Sequence, residues 1–216
     1  MEQLRAGYRR FLKDLFPERK SHYHLLAEGQ APGWLFITCS DSRVVPDLIL
    51  GTEPGDLFIT RNAGNVVPEP SHMNDGVTAT IEYAVEVLGV QHAILCGHSD
   101  CGAMKAALDL RRGGNLERLP RASEWLRHVE GAFAHRQPIN LAEGKGAELE
   151  SLVRGNVVAQ LKSLRAQPSV ARAVAAGRLQ VHGWYYQIMT GRIEEWDEEQ
   201  GRFRALLEEE REAGGR

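Results

Sequence analysis

Apolar residues along this chain repeat in two different ways. Over residues 1–28, Leu4, Tyr8, Phe11 and Leu15 return at three- and four-residue steps with charges between them, which predicts one apolar stripe along a helix. Pro17 predicts a division of this N-terminal helical arm into two helices. The stripe lies far from any strand-like segment, so it either packs on the body of its own chain or clasps a second copy.

After Pro32-Gly33 the pattern changes to short, nearly continuous apolar runs. Trp34-Leu35-Phe36-Ile37-Thr38-Cys39 reads as a strand buried on both faces. Leu57–Thr60, after Pro54-Gly55-Asp56, reads as a second strand, Ala93–Gly97 as a third and Leu179–Tyr186 as a late one, and Gly191-Arg192-Ile193 can start another. Helical spacing separates them. Val77, Ile81, Ala84, Val85 and Leu88 form a stripe with Asn74 or Asp75 as cap, and Met104–Leu110 is closed by Gly113-Gly114. Trp125–Phe133 and Leu149–Leu164 share the helical period. Strands alternating with helices predict an α/β fold, a central mostly parallel sheet flanked by helices. Residues 1–216 read as one domain. Ala134–Gly146 reads as a surface loop, and the acid-rich stretch 194–216 as a solvated helical tail.

Composition narrows the function. Hydrophobic residues make up 43% and charged residues 25% of 216 residues, an ordinary globular mix. The net charge of -3 argues against nucleic acid as the main partner. No apolar run approaches the ~18 residues of a membrane span, and the charged start MEQLRAGYRR lacks a signal's apolar core, so a cytoplasmic address is expected. Three cysteines in such a chain point to reduced thiols and to metal binding or catalysis rather than disulfides.

Cys39 ends the first predicted strand, His98 follows the third, and Cys101 comes three residues later near a helix start. Ligands of open α/β sheets collect beyond the carboxyl ends of strands, so all three side chains are expected at one edge. Two thiols and an imidazole suit zinc. Cys96 lies inside its strand, about 6.6 Å short of His98, and reads as core. Three protein ligands leave a fourth position, which a catalytic site gives to water. Asp41 stands within reach, either to accept a proton from that water or to ligate the metal, with Arg43 beside it to keep it ionised. Zinc with two thiolates and a neutral His is formally neutral. It polarises water less than a three-histidine site, where bound water ionises near pH ~7.

Cys39-Ser40-Asp41-Ser42-Arg43 together with His98-Ser99-Asp100-Cys101-Gly102 resembles the two-part signature of the β-class carbonic anhydrases. The likeness runs through Glu53-Pro54-Gly55-Asp56, Arg61-Asn62-Ala63-Gly64-Asn65 and Ile81-Glu82-Tyr83-Ala84 to His182-Gly183-Trp184, and is nearest to the bacterial, cyanate-associated members. The resemblance implies a zinc enzyme with Cys39, His98 and Cys101 as ligands and an Asp41–Arg43 dyad. It implies a homodimer or a larger assembly of dimers, with active sites near the subunit interface. Gln30, Phe58 and Tyr83 match the substrate pocket of the plant-like branch, and Gly102 is placed with them. The regulated branch binds bicarbonate at a second site through a Trp, an Arg and a Tyr. Arg61 and Tyr186 match, but Phe36 stands where that Trp would be, which favours the plant-like branch.

The reaction then expected is attack of zinc-bound hydroxide on carbon dioxide held by Phe58, Tyr83 and Gln30, giving bicarbonate and a proton. A carbonyl sulfide or carbon disulfide hydrolase is the rival enzyme, and a non-catalytic zinc-stabilised binding protein the rival of another class. A cysteine phosphatase loop would need Arg where Val45 stands, and no His-x-Glu precedes the Cys cluster as in zinc deaminases.

Overall fold

The computed structural model describes residues 1–70, 75–138 and 146–207. In chain order the elements are α1 (Glu2–Arg10), a π-helical turn (Phe11–Leu15), α2 (Phe16–Glu18), α3 (Lys20–Glu28), β1 (Trp34–Cys39), α4 (Pro46–Leu50), β2 (Leu57–Asn62), α5 (Gly76–Glu86), β3 (His92–His98) and α6 (Gly102–Arg111). Next come α7 (Pro120–Trp125), a 3-10 turn (Leu126–Val129), α8 (Glu130–Ala134), α9 (Ala147–Ala166), α10 (Pro168–Ala175), β4 (Gln180–Tyr186), β5 (Ile193–Asp197) and β6 (Arg202–Ala205).

The strands form one sheet in the order β2-β1-β3-β4-β5-β6. The first four run parallel, and β5 and β6 complete the sheet antiparallel. The chain leaves β1 toward β2 and returns across it to β3, so β1 and β3 are neighbours whose connections depart to opposite sides. Their carboxyl ends therefore open a crevice at the topological switch point. Trp34 pairs with His92 and Thr38 with Cys96, so Cys39 and His98 end their strands almost level.

Packing explains the apolar runs. On one face Leu35, Ile37 and Leu95 meet Ile81, Ala84 and Val85 of α5 and Val157, Leu161 and Leu164 of α9. Asp75 caps α5, its carboxylate accepting from the amides of Val77 and Thr78 at 2.9 Å. Asn74, the other predicted cap, lies outside the described residues. Helix α9 presses hard on the sheet because two strand positions carry no Cβ. A Cβ on Gly97 would stand 2.7 Å from a Val157 methyl, and one on Gly183 2.3 Å from a Leu161 methyl. A second cluster, with Met104, Leu108, Leu126, Val129, Leu152, Val153 and Tyr185, closes around Cys39 and Cys101.

The opposite face of the sheet is more thinly clothed. Phe36, Ile94 and Cys96 are buried there against Leu50, Ile59, Trp184 and Tyr186. The arm adds little cover from its own chain: α1, α2 and α3 bury no residue, and Leu4 is 70% exposed. It is held to the body by the Arg19–Glu53 pair at 2.8 Å and by His22 Nε2 bonding the Pro54 carbonyl at 2.7 Å. The stripe is thus not core of its own chain. The arm does divide into two helical parts, but helical backbone runs through Pro17 and the break falls two residues later, at Arg19.

Two local expectations fail. Trp125–Phe133 is not one helix. A 3-10 turn lies within it, and the buried Leu126, Val129 and Ala132 follow its three-residue step. The acid-rich stretch from Glu194 is not helical over 194–205 but forms β5 and β6. Its acids are used as partners: Arg154 Nη2 donates to Glu194 at 3.0 Å, and His182 Nδ1 lies 2.9 Å from Glu195. Trp196 and Phe203 pack across the two strands at 5.2 Å. Of the expected loop 134–146, residues 139–145 lie outside the described residues, and α8 runs to Ala134.

The close seat of α9 gives a direct test. Gly183→Ala is expected to destabilise the fold by about 1–3 kcal/mol, because the new methyl overpacks Leu161. Urea unfolding at matched protein concentration measures it, and an unchanged midpoint would show that the interface yields.

Candidate metal centre

Three donors converge in the crevice. Cys39 is the last residue of β1, His98 the last of β3, and Cys101 precedes α6, and the ligand atoms of all three lie within 4.8 Å of one another, all buried. Cys101 is the N-cap of α6, so its sulfur sits at the positive end of a helix. Cys96 points to the other face, and burial pushes its thiol up to about 12, an inert core group.

The histidine reveals what the cluster lacks. His98 Nδ1 bonds the Ser99 carbonyl at 2.9 Å, which fixes the proton there and leaves the lone pair on Nε2. Nε2 is buried without a hydrogen-bond partner. A lone pair left so is costly, and here it faces two sulfurs. The Cys39 thiol is drawn well below its ordinary value, chiefly by a hydrogen bond from Cys101, with the Gly64 amide adding to it against burial. The Gly64 N–H donates to Cys39 Sγ at 3.4 Å. Cys101 is pushed up, chiefly by the neighbouring Cys39 sulfur and then by burial, while the first-turn amides of α6 at Met104 and Ala103 oppose this. Two buried sulfurs and an unpartnered imidazole nitrogen within 4.8 Å of one another are what a cation would join, and the donor set fits zinc.

The rim is charged. Arg43 grips Asp41 with Nε at 2.9 Å and Nη2 at 2.8 Å, and its backbone amide donates to the same carboxylate at 3.0 Å. The carboxyl of Asp41 is therefore held far below the usual carboxylate range, chiefly by the Arg43 side chain. Its Oδ2 lies 3.9 Å from His98 Nε2. The loop carrying this dyad is stapled from β2: Arg61 donates to the carbonyls of Cys39, Asp41 and Val44 at 3.1, 2.7 and 2.8 Å.

Other supports carry no signature in the sequence. Asn156 of α9 donates to the Gly64 carbonyl at 2.9 Å, and Gln160 Oε1 accepts from the Val67 amide at 2.8 Å. Both are buried polar groups on an apolar helix face, the one cue available beforehand. The loop after β3 is tied to β4, the Ser99 amide donating to the Tyr186 carbonyl at 2.9 Å. Asn65 and Asp100 are the only described non-glycine residues with positive φ, and both flank the centre.

The remaining expected site residues divide. Gly102 opens α6 beside Cys101, and a Cβ there would meet open space. Phe58 and Tyr83 lie together, rings 5.9 Å apart, but not beside this centre. Phe58 pairs with Leu35, four residues or about 13 Å along the strand from the Cys39 level. Gln30 precedes β1 and so stands at the opposite edge of the sheet. A pocket in which one chain's Gln30, Phe58 and Tyr83 surround its own Cys39 and His98 is therefore not formed, because the parallel register holds them at opposite strand ends.

A parallel sheet with a buried thiolate–imidazole trio at its switch point and a carboxylate–guanidinium dyad on the rim defines a metalloenzyme centre. Residues 34–193 match the family model described as carbonic anhydrase. The carbonic anhydrase of Pseudomonas aeruginosa is 48% identical over 217 aligned residues, covering 100% of this chain and 97% of that protein. The solved β-carbonic anhydrase CcaA superposes with a TM-score of 0.86 at 37% identity, covering 97% of this chain and 93% of that one. A tetrameric β-carbonic anhydrase of Sordaria macrospora gives 0.69 at 35% identity, covering 90% and 92%. The chain belongs to the β-class carbonic anhydrases. It is a carbonate dehydratase, acting on carbon dioxide and bicarbonate.

If the trio holds the metal, the purified protein carries about one zinc per chain. Cys101→Ala is expected to lose it and Cys96→Ala to keep it, read by elemental analysis. Full occupancy in Cys101→Ala would overturn the ligand set.

Proposed function

We propose that Cys39, His98 and Cys101 hold a catalytic zinc ion and that Asp41 and Arg43 serve it in the reversible hydration of carbon dioxide. The observation that carries this reading is the unpartnered His98 Nε2, buried between two sulfurs within reach of an ionised carboxylate. Zinc, when bound, supplies the Lewis acidity that makes water nucleophilic near neutral pH.

The chain's own residues do the rest. Asp41 is bonded through both carboxylate oxygens to Arg43, so its position is fixed and its charge is permanent at working pH. It would accept a hydrogen bond from the nucleophile and so orient a lone pair of that nucleophile toward the substrate carbon. Gly102 leaves room beside Cys101 for a small linear substrate. Gln30, Phe58 and Tyr83 reach the centre from a second copy of the chain, Gln30 to bond a substrate oxygen and the two rings to line the pocket. Their place at the far strand ends supports this, as do the exposed apolar arm and the tetrameric relative.

Regulation through a second bicarbonate site is not expected. Phe36 is buried edge-on to Trp184 and has no indole N–H, and the Arg61 guanidinium is engaged with three backbone carbonyls. An effector shifts a two-state site only through unequal affinity for the states, and little is left here to provide it.

Stopped-flow hydration of carbon dioxide tests the function, with carbonyl sulfide as competing substrate. Faster turnover of carbonyl sulfide would transfer the assignment to the rival hydrolase. The pH profile has a predicted sign. Asp41 is depressed from an ordinary 3.8, so it stays ionised as pH falls through the mildly acidic range. The rate should then decline along a single ionisation, with or without added bicarbonate at fixed ionic strength. A steep multi-proton collapse deepened by bicarbonate would contradict this. Deleting residues 1–28 should give monomers or aggregates of low activity, and an active soluble monomer, by sedimentation, would refute the clasp.

A further inference from the structure

Arg43 makes contacts beyond its dyad. While Nε and Nη2 hold Asp41, Nη1 donates to Asp100 Oδ2 at 3.0 Å and Nη2 also donates to the Asp100 carbonyl at 3.2 Å. The second carboxylate oxygen of Asp100 pairs with Lys105 of α6. Four side chains of alternating charge thus run in sequence, Lys105, Asp100, Arg43 and Asp41, ending 3.9 Å from His98 Nε2.

The backbone is bent to make this possible. Asp100 has φ +61°, in the left-handed region that non-glycine residues mostly avoid, though Asp and Asn tolerate it best. This conformation lets one residue offer both its carbonyl and its carboxylate to one guanidinium. Local backbone strain persists only where its surroundings enforce it.

The geometry also shows what the dyad lacks alone. Asp41 and Arg43 are two residues apart on the loop after β1. Their mutual bonds fix them to each other but not to the loop after β3, which carries His98 and Cys101. Asp100 belongs to that second loop. Arg43 is close to half exposed, so each ion pair contributes little stability on its own. What the chain of contacts supplies is orientation.

We propose that Asp100, anchored by Lys105, is a positioning residue that aims the Asp41 carboxylate at the metal centre by holding Arg43 across the two ligand-bearing loops. The proposal rests on the role given to Asp41 above.

The test uses the zinc-loaded full chain. Asp100→Gly keeps the left-handed backbone and removes the carboxylate, Asp100→Asn keeps an acceptor without charge, and Lys105→Met removes the outer anchor. Partners of this kind typically cost about 10–100-fold in activity when lost. Asp100→Gly is therefore expected to lower kcat about tenfold with KM and zinc content unchanged, Asp100→Asn to recover part of the loss, and Lys105→Met to lose about two- to threefold. In an Arg43→Gln background, Asp100→Gly should cost nothing further. Independently of turnover, solvent exchange of the Arg43 Nε–H, followed by NMR on 15N-arginine protein, should quicken at least tenfold in Asp100→Gly. A kcat within twofold of the parent, or a loss fully additive with Arg43→Gln, overturns the proposal. So does zinc loss in both Asp100 variants, which would make the residue structural. If the parent protein fails to hydrate carbon dioxide, the functional reading fails, and unchanged or faster exchange at Arg43 still decides the clamp.

Discussion

The pairing of β1 with β3 is the constraint on which the rest depends. A parallel ladder in fixed register sets Cys39 and His98 level at the mouth of the crevice, and no local preference of either loop could do so. The ladder in turn depends on α9, whose Val157 and Leu161 sit where Gly97 and Gly183 have no side chain. A slip of one residue would send Cys39 to the opposite face, since side chains alternate along a strand. The register therefore fixes the chemistry as well as the packing.

Around that mouth, charge is organised in two layers. The inner layer is buried and short of partners: two sulfurs stand close together, and the imidazole Nε2 beside them has no hydrogen-bond partner. The outer layer is over-supplied, with the guanidinium of Arg43 shared between two carboxylates and Arg61 shared among three carbonyls. An unsatisfied interior inside a satisfied rim is the profile of a site arranged for a cation and a reaction rather than for stability.

The sequence was legible where one segment carries its own meaning. The runs around β1 and β3 and the Cys, His, Asp and Arg residues at their ends were read correctly as strands and as one cluster, since strand termini in this fold class gather at one edge. Less was legible where meaning depends on a distant partner. Glu194 and Glu195 looked like a solvated tail because Arg154 and His182 lie far away in sequence. Gln30, Phe58 and Tyr83 match a substrate pocket by motif likeness, which carries no coordinates, and only the register shows that they stand apart from Cys39 of their own chain. Asp100 lies within the His98–Gly102 motif, yet its grip on Arg43 depends on a backbone angle that composition does not encode.

The two borders of the sheet are built on opposite terms. At one, β6 is four residues long and places Arg202 and Arg204 around Phe203, directly after Gly201. A short border with repeated like charges is a poor template for another strand. At the other, β2 presents Leu57, Phe58 and Ile59, half-buried and uncharged, next to an arm whose apolar side also faces outward. Among the described residues, one border is thus short and charged and the other apolar over its first three positions. Two borders so unlike each other do not complement one another head to tail, and head-to-tail pairing is the geometry that builds an endless fibre.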